Sequence, residues 1–256
     1  MKKLLSITLL GAALLTGTVQ AQEETVRIAV DVPYEPMEYR LPSGELTGFD
    51  IELGNALCKE IGIDCEWVVQ GWDGIIPGLL SRKYDAIMSS MTINEQRRKQ
   101  VLFSDPYFMP PSAWFVPAKS DIRTPAKETL EGKSIGVQRG TLQDNYATDM
   151  YGDVANIKRY STAGDMVLDM ESNRLDIVFL DFPVGKSTLI DSEEGNYKVV
   201  GGMITEPKKY FGDGFGIAFR QRDKELAQKF NDALATLKEN GTYDEIFQKY
   251  FGTKKQ

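Results

Sequence analysis

The chain has 256 residues and a formal net charge of −7 at pH 7, from 30 Lys and Arg against 37 Asp and Glu. This acidic balance disfavours nucleic acid and anionic membrane surfaces as partners. The sequence contains no histidine, which removes the commonest general base and metal ligand, so triad hydrolases and zinc enzymes are disfavoured and we predict no metal and no cofactor.

Residues 1–21 form a predicted secretory signal peptide. Lys2 and Lys3 precede an apolar run from Leu4 to Leu15, and a cleavage pattern ending at Ala21 follows. The run is too short to span a bilayer, and no later run is long enough for a membrane helix. We therefore expect a soluble, exported mature chain.

The first predicted strand alternates apolar and polar residues from Val26 and ends at Asp31. A proline-rich loop follows, and the spacing of the apolar residues in 49–61 predicts a helix there. In an open α/β sheet, functional groups gather at the carboxyl ends of strands. Asp31 is therefore a candidate site residue.

Cys58 and Cys65 lie where the predicted helix ends and the next strand begins. In an oxidising compartment we expect the two thiols to pair, which closes a short loop and contributes about 2 to 3 kcal/mol in the chain-entropy estimate. Two free, buried thiols are the alternative. Trp72 follows the strand at 65–69, again on a loop beyond a strand's carboxyl end, although a core tryptophan is an equally ordinary interpretation.

The segment from Tyr84 to Arg98 carries the main site prediction. Its apolar run at 86–88 predicts a buried strand. Thr92 and Glu95 have the spacing of a capping box, which predicts a helix whose free N–H groups point back at residues 89–92. Arg97 could then reach a carboxylate held at this helix start. The alternative is a capped surface helix with a solvated arginine.

The second half of the chain repeats this organisation. The sequence SRKYDAIM (81–88) is echoed by SNRLDIVF (172–179), and Gly140-Thr141 opens a helix after a strand as a second possible anion site. Strands are predicted at 113–116, 134–138, near 157, at 175–180 and at 215–219. Helices are predicted from 141, over 161–171, from 223 and from 242, where Thr242 and Glu245 have the spacing of a capping box. The alternation indicates two similar α/β lobes with mainly parallel sheets and a ligand beyond the strand ends.

Several motifs together resemble a known family. They are GFDIELGNALCKEIG, WDGIIPGLL, DAIMSSMTINEQRR, FSDPYF, IGVQRGT, KKYFGDG and NGTYDEIFQKYFG. In this order, and over essentially the whole mature chain, they resemble the periplasmic polar amino-acid-binding proteins of ABC importers, solute-binding protein family 3, and most closely the lysine/arginine/ornithine and opine branch.

The resemblance implies an α/β, two-lobed type II periplasmic-binding-protein fold that closes over its ligand at a hinge. Lobe 1 would comprise 22–109 and 214–256, lobe 2 would comprise 113–205, and the crossovers would be 110–112 and 206–213. The spacing of Cys58 and Cys65 matches a disulfide of this branch. The implied ligand-binding residues are Asp31, Tyr34, Trp72, Ser89, Ser90, Met91, Thr92, Arg97, Gln138, Thr141, Gln143 and Asp181.

The resemblance also assigns roles at the head-group end of an amino acid. Arg97 would bind the α-carboxylate together with the backbone N–H groups of Thr92 and Thr141. Asp181 and Ser90 would bind the α-ammonium group.

At the other end, Tyr34 and Trp72 would sandwich the ligand side chain, and Asp31 would face its tip with Gln143 nearby. Trp72 stands where many relatives have phenylalanine, which favours a flat cationic group. Gln138 stands where lysine/arginine/ornithine binders are often apolar, which keeps opines open. For the neighbouring Arg139, a solvated loop position is expected rather than a contact with a second ligand carboxylate.

The implied function is a periplasmic, monomeric binding protein that passes a cationic L-amino acid to an inner-membrane ABC permease. Arginine is expected first, then ornithine or lysine, and an opine or glutamine is the alternative ligand. A dehydratase of the same fold would need a proton donor, for which only Asp or Glu is available without histidine. A sensor module that signals through a membrane partner is the third hypothesis.

Overall fold

A computed structural model of the protein describes residues 25–192 and 195–252. The predicted signal peptide lies outside these residues. In the part of the chain that the structure describes, no helix combines the length and the apolar character needed to cross a membrane.

Strands and helices alternate along most of the chain. The strands are β1 (Thr25–Val30), β2 (Tyr39–Arg40), β3 (Leu46–Thr47), β4 (Asp64–Val69), β5 (Ala86–Ile87), β6 (Leu102–Phe103), β7 (Ser112–Pro117), β8 (Ser134–Gln138), β9 (Asn156–Tyr160), β10 (Ile177–Asp181), β11 (Tyr197–Ile204) and β12 (Ala218–Phe219). The α-helices are α1 (Phe49–Ile61), α2 (Ile75–Leu80), α3 (Glu95–Arg98), α4 (Lys127–Leu130), α5 (Leu142–Tyr151), α6 (Ala163–Glu171), α7 (Phe182–Gly185), α8 (Lys208–Phe211), α9 (Lys224–Glu239) and α10 (Thr242–Phe251). A 3-10 turn (Trp72–Gly74) precedes α2, and a π-helical segment (Lys186–Asp191) follows α7.

The strands form two five-stranded sheets, in the orders β4-β1-β5-β12-β6 and β11-β7-β10-β8-β9. The first sheet defines lobe 1 and the second defines lobe 2. This confirms the predicted two-lobed α/β fold. The sheets are more mixed than the expected mainly parallel ones, because β12 runs antiparallel to β5 and β6, and β7 runs antiparallel to β10 and β11.

Each sheet buries apolar side chains on both faces, as strands covered by helices require. In β1, Val26 and Ile28 pack towards α1 and α9, whereas Ala29 packs on the opposite face with α2. In β10, Phe179 and Val178 likewise enter two different clusters. The two lobes therefore have separate cores, and functional groups are left at the strand ends.

Helix α1 has the predicted bounds because its apolar residues recur on one face. It ends at Gly62, whose φ of 76° allows its N–H to donate to Cys58 O. The chain then turns into β4, and Cys58 and Cys65 form a disulfide with a Cα–Cα distance of 6.1 Å. The predicted pairing is confirmed.

The echo between SRKYDAIM and SNRLDIVF is a structural repeat. Arg82 and Asn173 both adopt positive φ, at 64° and 56°. Three residues further on, Asp85 Oδ2 accepts the N–H of Arg27 at 3.2 Å, and Asp176 Oδ2 accepts the N–H of Ser134 at 2.8 Å. In each lobe an aspartate before a buried strand therefore satisfies a donor of the neighbouring strand.

The predicted capping boxes are wrong at two helices. Helix α3 begins after Asn94, whose side chain accepts the N–H of Arg97 at 2.9 Å, while Thr92 pairs with Phe215 of a distant segment. Helix α10 follows Gly241 at φ 84°, without a side-chain cap. In both helices the residue directly before the first turn, Asn94 or Gly241, is the N-cap in place of the predicted threonine.

The chain crosses between the lobes twice, along adjacent paths. The segment after β6 pairs with the segment before β12, where Phe215 N donates to Phe108 O at 2.6 Å. Helix α8 packs on the core of lobe 2, so the chain returns to lobe 1 only after this helix. Gly212 and Gly214, which both have positive φ, lie in this returning segment. A Cβ at Gly212 would stand 2.0 Å from Ile93 O, so this close approach requires glycine.

Candidate functional site

A cavity lies between the two sheets and encloses about 330 Å³ of empty space, including space open to solvent. Its polar groups come from the carboxyl ends of strands in both lobes. Its lining residues are Asp31, Tyr34, Glu38, Trp72, Ser89, Ser90, Thr92, Arg97, Gln138, Thr141, Leu142, Gln143 and Asp181.

All predicted ligand-binding residues except Met91 line this cavity. Met91 is fully buried in the core of lobe 1, and its carbonyl accepts the N–H of Gly216 at 3.0 Å. The sequence analysis missed two lining residues, Glu38 and Leu142. Leu142 follows Thr141 in a helix that was predicted, whereas a glutamate in a proline-rich loop carries no local signal of burial.

Arg97 is the cationic residue that lines the cavity, and contacts within the protein alone hold its side chain in place. Its Nη1 donates to Thr92 O at 2.9 Å, and its guanidinium lies 5.1 Å from the centre of the Trp72 ring. Burial lowers the pKa of Arg97 to about 10, so the group stays protonated at neutral pH. A buried, preorganised guanidinium is suited to a carboxylate.

Asp181 lies at the same end of the cavity and accepts hydrogen bonds on both oxygens. Tyr34 donates to Oδ2 at 2.7 Å, while Ser112 and Gln143 donate to Oδ1 at 3.2 and 2.8 Å. Burial raises the pKa of Asp181 to about 6, against these donors and the charge of Arg97. Gln143, which was expected near Asp31, lines the same cavity and donates its amide N–H groups to Asp181 and Ser112.

Asp31 also lines the cavity, and it is bound by a different set of donors from Asp181. Its Oδ2 accepts the Gln138 amide at 2.7 Å, and its own N–H donates to Ser89 Oγ at 2.9 Å. Burial raises the pKa of Asp31 to about 6, so it is ionised at pH 7. The charge of Asp73 also raises the pKa of Asp31, whereas the charge of Arg97 lowers the pKa of Asp181. The two carboxylates therefore respond to different charged neighbours.

The aromatic residues that line the cavity are Tyr34 and Trp72. Trp72 is half-buried and its Nε1 donates to Gly140 O of lobe 2 at 3.2 Å, so it is a cleft residue and not a core tryptophan.

The predicted helix start at Thr141 is confirmed, because its hydroxyl accepts the N–H of Asp144 at 3.2 Å. Arg139 is exposed, lies 3.7 Å from Asp73 and does not line the cavity.

Within the described residues, no group of histidine, cysteine, aspartate and glutamate side chains has the arrangement of a metal site. What the cavity offers is one buried cation, several carboxyl groups, an aromatic surface and fixed amide donors. This set can bind a small zwitterion without chemical change.

Comparisons with known proteins agree with this geometry. The family model described as bacterial extracellular solute-binding proteins, family 3, matches residues 26–253. The chain is 39% identical to an L-arginine-binding protein of Pseudomonas aeruginosa over 98% of this chain and 97% of that protein. It is 34% identical to the lysine/arginine/ornithine-binding periplasmic protein of Escherichia coli K12, over 98% and 96% of the two chains. The solved structure of an ancestral arginine-binding protein bound to arginine covers 89% of this chain and 98% of its own, with 35% identity and a TM-score of 0.82.

Proposed function

The chain belongs to the bacterial extracellular solute-binding proteins of family 3, and from this premise we propose that it captures a cationic L-amino acid in the cleft between its lobes. Arginine is the first candidate, followed by ornithine and lysine. Relatives named for binding arginine, or lysine, arginine and ornithine, match nearly the full chain and support this ligand class.

The order of charges along the cavity is the observation that carries the proposal. Arg97 and Asp181 lie together and suit the α-carboxylate and α-ammonium groups of an amino acid. Asp31 instead accepts a hydrogen bond from Gln138, and its pKa of about 6 leaves it mostly ionised at pH 7. A desolvated cation is tolerated only beside an opposite charge, so Asp31 should select a positive side-chain end.

Trp72 is proposed to contact the ligand side chain from one face. Its ring already lies under the guanidinium of Arg97, so an arginine ligand would add a second cation to the same aromatic environment. Tyr34 is proposed to cover the opposite face while its hydroxyl stays on Asp181.

Ligand capture is proposed to occur by closure of the two lobes. The contacts Asp31 to Gln138, Tyr34 to Asp181 and Trp72 to Gly140 all join one lobe to the other. Opening would break them together and rotate the lobes at 110–112 and at the return crossover 206–213, which ends next to the positive-φ residue Gly212.

The protein is proposed to act as a monomer in the periplasm, after cleavage behind Ala21, and to deliver its ligand to an inner-membrane ABC permease. Catalysis is not part of the proposal, since the relatives reported above are named as binding proteins. Incubation with prephenate or arogenate would reveal a dehydratase, and turnover of either compound would contradict a pure binding role.

An opine is the main rival ligand. Both N–H groups of the Gln138 amide are engaged, one by Asp31 at 2.7 Å and one by Ser161 O at 3.2 Å. Gln138 is thus not available as a donor to a second ligand carboxylate, which favours a simple amino acid.

A thermal-shift screen tests the assignment. It would cover the twenty amino acids with ornithine, citrulline, octopine and nopaline, because a ligand at 100 times its dissociation constant adds about 2.7 kcal/mol of stability. Arginine should give the largest shift. A larger shift with glutamine, citrulline or an opine would overturn the cationic assignment.

A further inference from the structure

Two carboxyl groups, Glu38 and Asp50, bind the serines that line the cavity, and Glu38 is itself a lining residue. Their residues are 1% and 0% exposed. The Ser90 hydroxyl stands 3.3 Å from Glu38 Oε2 and 3.4 Å from Asp50 Oδ2, so it bridges the two groups. No role in ligand contact was predicted for either residue.

Within residues 25–192 and 195–252, the donors that reach this pair are all neutral. Ser89 Oγ donates to Glu38 Oε1 at 2.8 Å, and the Tyr107 hydroxyl and the Ser90 amide donate to Asp50 Oδ2 at 2.8 and 2.7 Å. Among the described residues, no ion pair includes Glu38 or Asp50. Two adjacent buried carboxylates without a cation are costly, and one proton between them removes half of the charge.

One oxygen of the pair points to the position of that proton. Asp50 Oδ1 is buried and has no hydrogen-bond donor among the described residues. A carboxyl proton shared with Glu38 would give this oxygen a partner. Burial also raises the pKa of Glu38 well above its ordinary value, with the charge of Asp50 as the next cause, and burial raises the pKa of Asp50 to about 6.

The surrounding titratable groups reinforce this conclusion. Tyr34, Tyr107 and Tyr243 face the pair from three different segments, and burial raises the pKa of each, so all three are neutral hydroxyl groups at pH 7. Asp31, at the end of β1, adds a charge of the same sign. These neighbours favour protonation of the pair.

The pair is connected to the ligand cavity through two serines. Ser89 Oγ, which donates to Glu38, also accepts the backbone N–H of Asp31. Ser90 has a φ of 50°, which is uncommon for a non-glycine residue, and its N–H is held by Asp50. Displacing either carboxyl group would therefore move cavity-lining backbone.

We propose that Glu38 and Asp50 share one proton at neutral pH and act as positioning residues that hold Ser89, Ser90 and the Asp31 backbone in place for the bound amino acid. This inference rests on the proposed function for its role in binding. The shared proton itself does not depend on which ligand is bound.

Carboxyl ¹³C NMR titration of the full-length mature protein tests the proton. The wild type should retain one protonated side-chain carboxyl signal at pH 7, and Glu38→Gln and Asp50→Asn should each remove it. Glu45→Gln is the matched control because Glu45 is exposed in the β2–β3 hairpin. If every wild-type carboxyl is ionised at pH 7, or if the signal survives in both variants, the assignment is wrong.

Arginine titration tests the positioning role. Glu38→Ala leaves the Ser89 hydroxyl without its acceptor, so affinity should fall at least about tenfold. Glu38→Gln keeps a neutral acceptor and should recover most of this loss. Equal affinities in the two variants would overturn the role. If Glu38→Ala does not fold, Ser89→Ala removes the same link and should show the same loss. A wild type that bound no arginine would instead refute the proposed function, and the NMR result would still stand.

Discussion

Gln138 in lobe 2 donates a 2.7 Å hydrogen bond to Asp31 in lobe 1. Asp31 is therefore held from both sides of the cleft, yet the amide is neutral and leaves its negative charge uncompensated. Arg97 acts on the pKa of Asp181, whereas the charge that acts on the pKa of Asp31 is the like charge of Asp73. Selection for a cationic side chain should consequently depend on Asp31 more than on any other residue.

Asp31→Asn should weaken arginine binding by about 2 kcal/mol or more, roughly 30-fold. The substitution keeps the shape and some hydrogen bonding but removes the charge. Cation–π attraction from Tyr34 and Trp72 supplies only about 1 to 2 kcal/mol and cannot offset the lost charge. Isothermal titration with arginine gives the loss directly.

Citrulline is the matched ligand for this test, because it is neutral where arginine is charged. Its affinity should change much less in Asp31→Asn. Equal losses for the two ligands would show that Asp31 does not read charge.

Arg97→Ala should weaken every amino-acid ligand together, by about 2 to 5 kcal/mol, because all of them present the same carboxylate. Titrations with arginine, ornithine and lysine provide the comparison. Arg97→Lys is the control that keeps a positive charge without the two-pronged donor geometry, and it should recover only part of the affinity. A loss confined to one ligand would place Arg97 at the side-chain end and refute its assignment.

Arginine affinity should fall as the pH drops below about 6. The pKa values of Asp31 and Asp181 are each raised to about 6, so both carboxylates become protonated below that pH. Each protonation opposes a positive ligand group, at about tenfold in affinity per pH unit and group. Dissociation constants between pH 5 and 8 measure the effect, and Asp31→Asn should show a shallower slope. A flat profile in the wild type would contradict it.

The same raised pKa values predict how the free energy of unfolding of the protein without ligand depends on pH. A carboxyl whose pKa is about 6 in the folded protein, above the ordinary aspartate value of 3.8, binds protons more tightly when the chain is folded. Its contribution is therefore fully present below pH 3.8 and is lost as the pH rises through about 6. Denaturation at pH 5 and 7 should show a smaller pH effect in Asp181→Asn than in the wild type. A larger effect in that variant would reverse the sign.

Loss of the Cys58–Cys65 disulfide should lower the free energy of unfolding by about 2 to 3 kcal/mol in the chain-entropy estimate. The double substitution Cys58→Ser, Cys65→Ser is compared with the wild type by denaturant titration. Because the bond joins the end of α1 to the start of β4, outside the cavity lining, arginine affinity should stay unchanged. A matching loss of affinity would show that the disulfide shapes the site.

The local sequence pattern was sufficient to predict an element whose signals all lie within that element or next to it. The helix α1 was predicted at its observed bounds because its apolar face and the following glycine are adjacent in sequence. Strand β11 was missed because Gly201 and Gly202 interrupt its apolar pattern, where the pairing register with β7 shifts between Val200 and Met203. A bulge of this kind is set by the partner strand and not by local propensity.

The site residues could likewise be predicted where the signal is local, and were missed where it depends on distant segments. Strand ends and the resemblance to a known family identified most cavity residues, including Asp31 and Arg97. The burial of Glu38 escaped prediction because it depends on Asp50 in α1 and on Ser89 after β5. The hydrogen bond from Gln143 to Asp181 was not predicted, because only the folded cleft brings these two residues together.

The connectivity of the first sheet has a consequence for how the exported chain matures. β5 pairs on one side with β12, which lies near the end of the chain, whereas the sheet of lobe 2 is built from the continuous stretch β7 to β11. A chain that emerges amino terminus first can therefore complete lobe 2 while lobe 1 still lacks a central strand. Pulse-labelled hydrogen exchange during refolding should protect β8 and β10 before β5, and the reverse order would show that lobe 1 gathers its distant strand first.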